Sequence, residues 1–143
     1  MGMQTINRIL LATDFSRNSE QALEYAEELA RRFGAELLVL HVDEALSTVP
    51  GSDLAETRRA AADGELQELA TELRAKDVPA RALLRPGLAS GEIVATAKAE
   101  HADLVVMGTH GRTGLAHALL GSVAEHVLRT APCPVLTVRA TAA

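Results

Sequence analysis

Four glycines, Gly108, Gly111, Gly114 and Gly121, crowd the stretch "VVMGTHGRTGLAHALLGSVAEHVL" between an apolar run and a helix-like pattern. Gly108, directly after the apolar run, lets the chain turn and lets a ligand approach the main chain with no Cβ in the way; Gly111 repeats that opportunity three residues later. Gly121 and Ser122 precede a helix, whose unbonded amides and partial positive charge suit a phosphate group, with the Ser122 hydroxyl as a further donor. A turn and an N-cap explain Gly108 and the Gly121–Ser122 pair equally well without a ligand. The chain has neither GxxxxGK(S/T) nor GxGxxG, so neither a P-loop nucleotidase nor a dinucleotide dehydrogenase is supported.

Other residues able to do chemistry are few. Asp14, at the end of the first apolar run, suits ribose hydroxyls or a Mg2+ carried by phosphates, and suits equally the start of a turn before Ser16. His110 and Arg112 lie inside the glycine stretch, where each can neutralise phosphate or point to water. No two of the five histidines have the i, i+4 spacing of a helical zinc site, so no metal site is expected. Glu125 and His126 are helix neighbours that point in different directions, and no catalytic triad assembles by spacing. The single cysteine, Cys133 between two prolines, cannot close an internal disulfide and suits a reducing compartment as a small filler.

The elements that must position these groups follow from hydrophobic periodicity. "RILLATD" reads as a buried strand, and Ser16 as the cap of a helix whose inner residues are Ala22, Leu23, Ala26, Leu29, Ala30 and Phe33, stopped by Gly34. Residues 36–42 form a second strand with too little alternation for a wet face. After a loop, 54–76 reads as a helix with Leu66, Leu69, Ala70 and Leu73 inward and Gly64 as its weak point. "PARALLR" is a third strand, "SGEIVATAKAEHA" a helix, "DLVVM" a fourth strand, "SVAEHVLRTA" a helix and "PVLTV" a fifth strand. This alternation predicts an α/β fold: an open, doubly wound, five-stranded parallel sheet of order 3-2-1-4-5 with helices on both faces. The carboxyl ends of the first and fourth strands, Thr13–Asp14 and Met107–Gly108, then flank the crevice where such sheets bind ligands.

Length and composition agree. The 143 residues fit one domain, 1–143, able to bury a core without metal or disulfide. Three aromatic residues and a net charge of -5 argue against base stacking and phosphate-backbone binding, so nucleic acid is not expected as a partner. The N-terminal residues lack a signal-peptide pattern and no apolar run reaches membrane-spanning length, so a cytoplasmic protein away from the membrane is expected.

The sequence resembles the universal stress protein family, whose nucleotide-binding branch carries Gly-x2-Gly-x9-Gly-Ser/Thr. Here the pattern is Gly108 and Gly111, nine residues 112–120, then Gly121–Ser122. "ILLATDFSRNSEQAL", "LLVLHV" and "APCPVLTV" are similar to the family's opening, second and closing strands, so the resemblance spans essentially the whole chain. It implies a Rossmann-like fold of the adenine nucleotide α-hydrolase-like kind, binding ATP, ADP or AMP with Mg2+. It further implies that Asp14 sits by the ribose or base, that the main chain around Val42 borders the adenine, and that Met107 and Gly108 lie against the nucleoside. Gly111, Gly121, Ser122 and the Val123 amide would hold the phosphates, while Ala12 and Thr13 lead into the acidic position. Ala12 replaces the proline often found there in the family. The expected role is a sensor or regulator with at most slow hydrolysis, since no general base is evident beside the phosphates. Two alternatives stand beside it: a non-nucleotide stress protein working through dimerisation and protein contacts, and an ATP-using enzyme of the same fold. The fifth strand, at the sheet edge, carries no charge to deter pairing, and a homodimer through it is expected both from that edge and from the resemblance.

Overall fold

The structure, a computed structural model, describes residues 5–48, 51–110 and 120–139. In chain order its elements are β1 (Arg8–Ala12), α1 (Arg17–Phe33), β2 (Glu36–Asp43), α2 (Ala45–Thr48), α3 (Asp53–Ala75), β3 (Ala80–Pro86), α4 (Ala89–Ala99), β4 (Leu104–Gly108), α5 (Ser122–Thr130) and β5 (Val135–Val138). The strands form one parallel sheet of order β3-β2-β1-β4-β5, the predicted winding. Only α2 was not expected; it is a single turn inside the segment read as loop.

The apolar strands are buried because both faces of the sheet are covered. Ile9, Leu11, Leu37, Val39 and Val106 pack with α1 and α3 on one side. Leu10, Leu38, Leu40, Val105 and Met107 pack with α4 and α5 on the other. Period-2 alternation thus sends neighbouring side chains into two different cores, and the charged strand residues fall toward the strand ends, as Arg8 and Glu36 do, or on the edge strand β3, as Arg81 does.

Helix α1 starts where Ser16 caps it and stops where Gly34 enters the left-handed region at φ 65°. Its buried line is Ala22, Ala26 and Ala30, small residues that let the helix lie close on the sheet. The next member of that four-residue repeat is Gly34, so Phe33 falls about 100° off the stripe. Phe33 is half exposed rather than inward as expected. Helix α3 runs unbroken through Gly64, which faces open space.

Charge secures the amino ends of the strands. Arg81 bonds Glu36 at 3.1 Å and Glu100 at 2.8 Å, holding the Glu100 carboxyl below the usual range, and Arg8 approaches Glu36 at 3.5 Å. Asp103 Oδ2 accepts from the main-chain amides of Asn7 and Arg8, tying the start of β1 to the entry of β4. The carboxyl ends, by contrast, open into a cavity.

Candidate functional site

A cavity of about 550 Å³ lies at the carboxyl ends of β1 and β4, where the winding of the sheet reverses. Its wall brings together Ala12 of β1 with Thr13 and Asp14 after it, Val42 of β2, Met107 and Gly108 of β4 with His110 after it, and Gly121, Ser122 and Val123 at the start of α5. Gly111 and Arg112, also expected in the site, lie outside the described residues.

The loop from β1 to α1 is held from several directions. Asp14 Oδ1 accepts from the Ser16 amide at 2.9 Å and from Ser19 Oγ at 2.6 Å, while Ser19 Oγ accepts from the Asp14 amide at 3.0 Å. Asp14 therefore builds the turn that was one of its two readings, and does so on the cavity wall. Phe15 sits in the left-handed region at φ 63°, a strained conformation for a bulky residue. It is kept there by a bond from its amide to Thr13 Oγ1 and by a tilted ring contact with His41 at 4.6 Å. His41 Nδ1 in turn donates to the Thr13 carbonyl at 2.8 Å, which fixes its tautomer, since a carbonyl can only accept.

The glycines have causes the spacing does not reveal. A Cβ on Gly108 would lie 3.1 Å from Cβ of Asn18, so this glycine admits the first turn of α1. Asn18 uses that closeness: its Nδ2 donates to the His110 carbonyl at 2.8 Å. A Cβ on Gly121 would meet the Thr109 carbonyl oxygen at 2.9 Å, and the Gly121 amide donates to the same oxygen at 2.7 Å. Both glycines thus admit a close approach of protein to protein.

Among the described residues no side chain caps the start of α5. The Gly121 carbonyl accepts from the Glu125 amide, leaving Ser122, Val123 and Ala124, whose amides have no acceptor within the helix, on the cavity wall. This is a concave, partly apolar space with a bare helix start on one side, an arrangement suited to an anionic group.

Residues 5–139 match the sequence model of the Universal stress protein family. The chain belongs to that family. Universal stress protein MJ0531 of Methanocaldococcus jannaschii is 35% identical over 147 aligned residues, covering 96% of this chain and 85% of that one. The solved structure of MJ0577 superposes with a TM-score of 0.88 at 29% identity, over 98% of this chain and 100% of the other. A universal stress protein in complex with cAMP has a TM-score of 0.74 at 25% identity, over 96% and 100% of the two chains. One from Archaeoglobus fulgidus in complex with dAMP has 0.68 at 26%, over 95% and 99%.

In this universal stress protein the wall also includes residues not foreseen from sequence: Ser19, Leu40, Ala89, Ile93, Thr109, Leu120, Ala124 and Glu125. Ala89 and Ile93 are one helical turn apart on α4, a spacing visible in the sequence once α4 is known to cross this end of the sheet. A shallower depression adjoins the cavity through Asp14 and Val42. There Asp43, buried, accepts from Arg58 Nε at 2.7 Å, which keeps the guanidinium more firmly protonated. Among the described residues no helix is long and apolar enough to cross a membrane, and no His, Cys, Asp or Glu group is arranged to hold a metal.

Proposed function

We propose that this universal stress protein binds an adenine nucleotide in the cavity, ATP with Mg2+ foremost and ADP or AMP as alternatives, and acts as a cytoplasmic sensor or regulator with at most slow hydrolysis. The observation that carries the reading is the uncapped start of α5 on the wall of a crevice at the sheet's switch point. The complexes of two family members with cAMP and dAMP support it. In this reading Gly121, Ser122 and the Val123 amide hold phosphate, together with Gly111 and Arg112. Met107 and Gly108 lie along the nucleoside, the main chain at Val42 borders the adenine, and Asp14 stands by the ribose. Mass spectrometry of whatever co-purifies, followed by calorimetric titration with ATP, ADP, AMP and GTP with and without Mg2+, tests it. Failure of every adenine nucleotide to bind at millimolar concentration would overturn it.

A homodimer through β5 belongs to the same proposal. Among the described residues β5 pairs with β4 on one side only, and Val135, Leu136 and Thr137 are half-buried in the single chain. Two copies related by a two-fold axis would pair this edge with itself. Leu136→Lys is expected to shift the protein from dimer to monomer in light scattering coupled to size exclusion. Because Leu136 also rests against the α1-side core, circular dichroism must show the variant folded.

A further inference from the structure

One ring nitrogen in the cavity wall is unsatisfied. His110 Nδ1 lies 3.1 Å from the Thr109 hydroxyl, whereas Nε2 is buried with no hydrogen-bond partner among the described residues. Such a nitrogen is unfavourable whether it carries a proton or a lone pair, and an orphan of this kind calls for an explanation. The backbone that carries the ring is fixed on both sides, by Asn18 on the His110 carbonyl and by Gly121 on the Thr109 carbonyl. Cδ2, the ring carbon bonded to Nε2, is 3.9 Å from the position a Cβ on Gly121 would take. The ring is thus held beside Gly121, the cap of α5.

Resting on the nucleotide reading of this cavity, we infer that His110 is the proton-linked phosphate contact of the site. A phosphate oxygen accepts from Nε2–H, and the imidazole takes up a proton from solvent as the phosphorylated ligand binds. An imidazole changes charge within the range from pH 5 to 8. Beside phosphate a charged imidazole gains a charge-assisted hydrogen bond. Ligand and proton therefore favour one another, and by linkage affinity for a phosphorylated ligand falls as pH rises. The other titratable groups on the wall among the described residues are Asp14, from the loop after β1, and Glu125 of α5. From β2, α1 and α4 come only uncharged side chains such as Val42, Ser19 and Ile93. Asp14 and Glu125 act on the ring with and without ligand, so they move the range of the effect rather than reverse its sign.

The test is calorimetric titration with ADP and with adenosine at pH 6 and pH 8, each in two buffers of different ionisation enthalpy, on the native protein and on His110→Gln. Glutamine places an amide near the position of Nε2 and cannot take up a proton. The native protein is expected to bind ADP about tenfold more tightly at pH 6 than at pH 8 and to take up protons as it does so, the factor expected of one unit of coupling. Adenosine binding should be flat, and His110→Gln should reduce the ADP slope and the proton uptake to what the ionisation of the ligand's own phosphate supplies. Equal slopes for ADP in the native and Gln proteins, or a slope shared by ADP and adenosine, would overturn the inference and leave the nucleotide site standing. No binding of either ligand at either pH would remove both. Should the Gln variant lose its helical circular dichroism, His110→Asn takes its place in the same comparison, because ADP's own phosphate ionises in this range and adenosine has no such group.

Discussion

Helices α1 and α5 both begin at the cavity rim, and their first turns are finished in opposite ways. At α1 the Ser16 side chain accepts from the Ser19 amide, and Asp14 and Ser19 exchange bonds around it, so the chain closes its own helix start. At α5 the cap is Gly121, which has no side chain to offer. A glycine cap costs only a few tenths of a kcal/mol relative to serine, so leaving those amides open is thermodynamically cheap. The closed start orients the wall; the open one leaves its amides on it.

The comparison breaks most severely at Gly121. Gly121→Val would drive a branched side chain against the Thr109 carbonyl, and overpacking of this kind destabilises by about 1–3 kcal/mol. Nucleotide affinity is expected to fall at least about a hundredfold, since relieving the clash must shift the first turn of α5 that would hold phosphate. Urea denaturation beside calorimetry separates the two losses, and a folded variant that binds as the native does would take the start of α5 out of the site. Ser122→Ala asks less: one donor to an anion is lost, roughly tenfold in ADP affinity, with adenosine unaffected and stability nearly unchanged. At the closed start the prediction is inverted. Ser16→Ala should cost about 1 kcal/mol of stability and leave ADP affinity as it was, which thermal unfolding and the same titration would check. The smallest effect is expected for Asp14→Asn, which keeps the acceptor oxygen for Ser16 and Ser19: about threefold in affinity, equal with and without Mg2+. A loss confined to Mg2+ would move the carboxylate from ribose to metal.

Much of this was legible in the sequence because it rests on period and on punctuation. Continuous apolar strands announced a sheet buried on both faces, Ser16 and Gly34 marked the ends of α1, and the reversal of winding put Asp14 beside Met107 and Gly108. What sequence could not supply was distance. Gly108 read as clearance for a ligand and Gly121 as the lead into a phosphate-binding helix start, and spacing did not show that their Cβ positions point at Asn18 and at the Thr109 carbonyl. Phe33 fitted a helical stripe, but the four-residue repeat of alanines fixed a narrower one. The orphan nitrogen of His110 depends on packing that no spacing rule describes. Cys133 was read as filler, and burial does push its thiol above the usual range.

The strand order also governs when this site comes into being. β1 is made first, yet its second neighbour is β4, with Ile9 beside Leu104. A chain still emerging from the ribosome can complete β1, β2 and β3 with their helices while one side of β1 stays bare, and neither the Ser122 wall nor the crevice exists until the final third arrives. Contacts of such long sequence separation form late and slowly. A nucleotide held between Asp14 and Ser122 would therefore clasp the two ends of the chain. At a hundred times its dissociation constant it would stabilise the finished protein by about 2.7 kcal/mol, so that nucleotide supply would set the protein's lifetime in the cell as well as its occupancy.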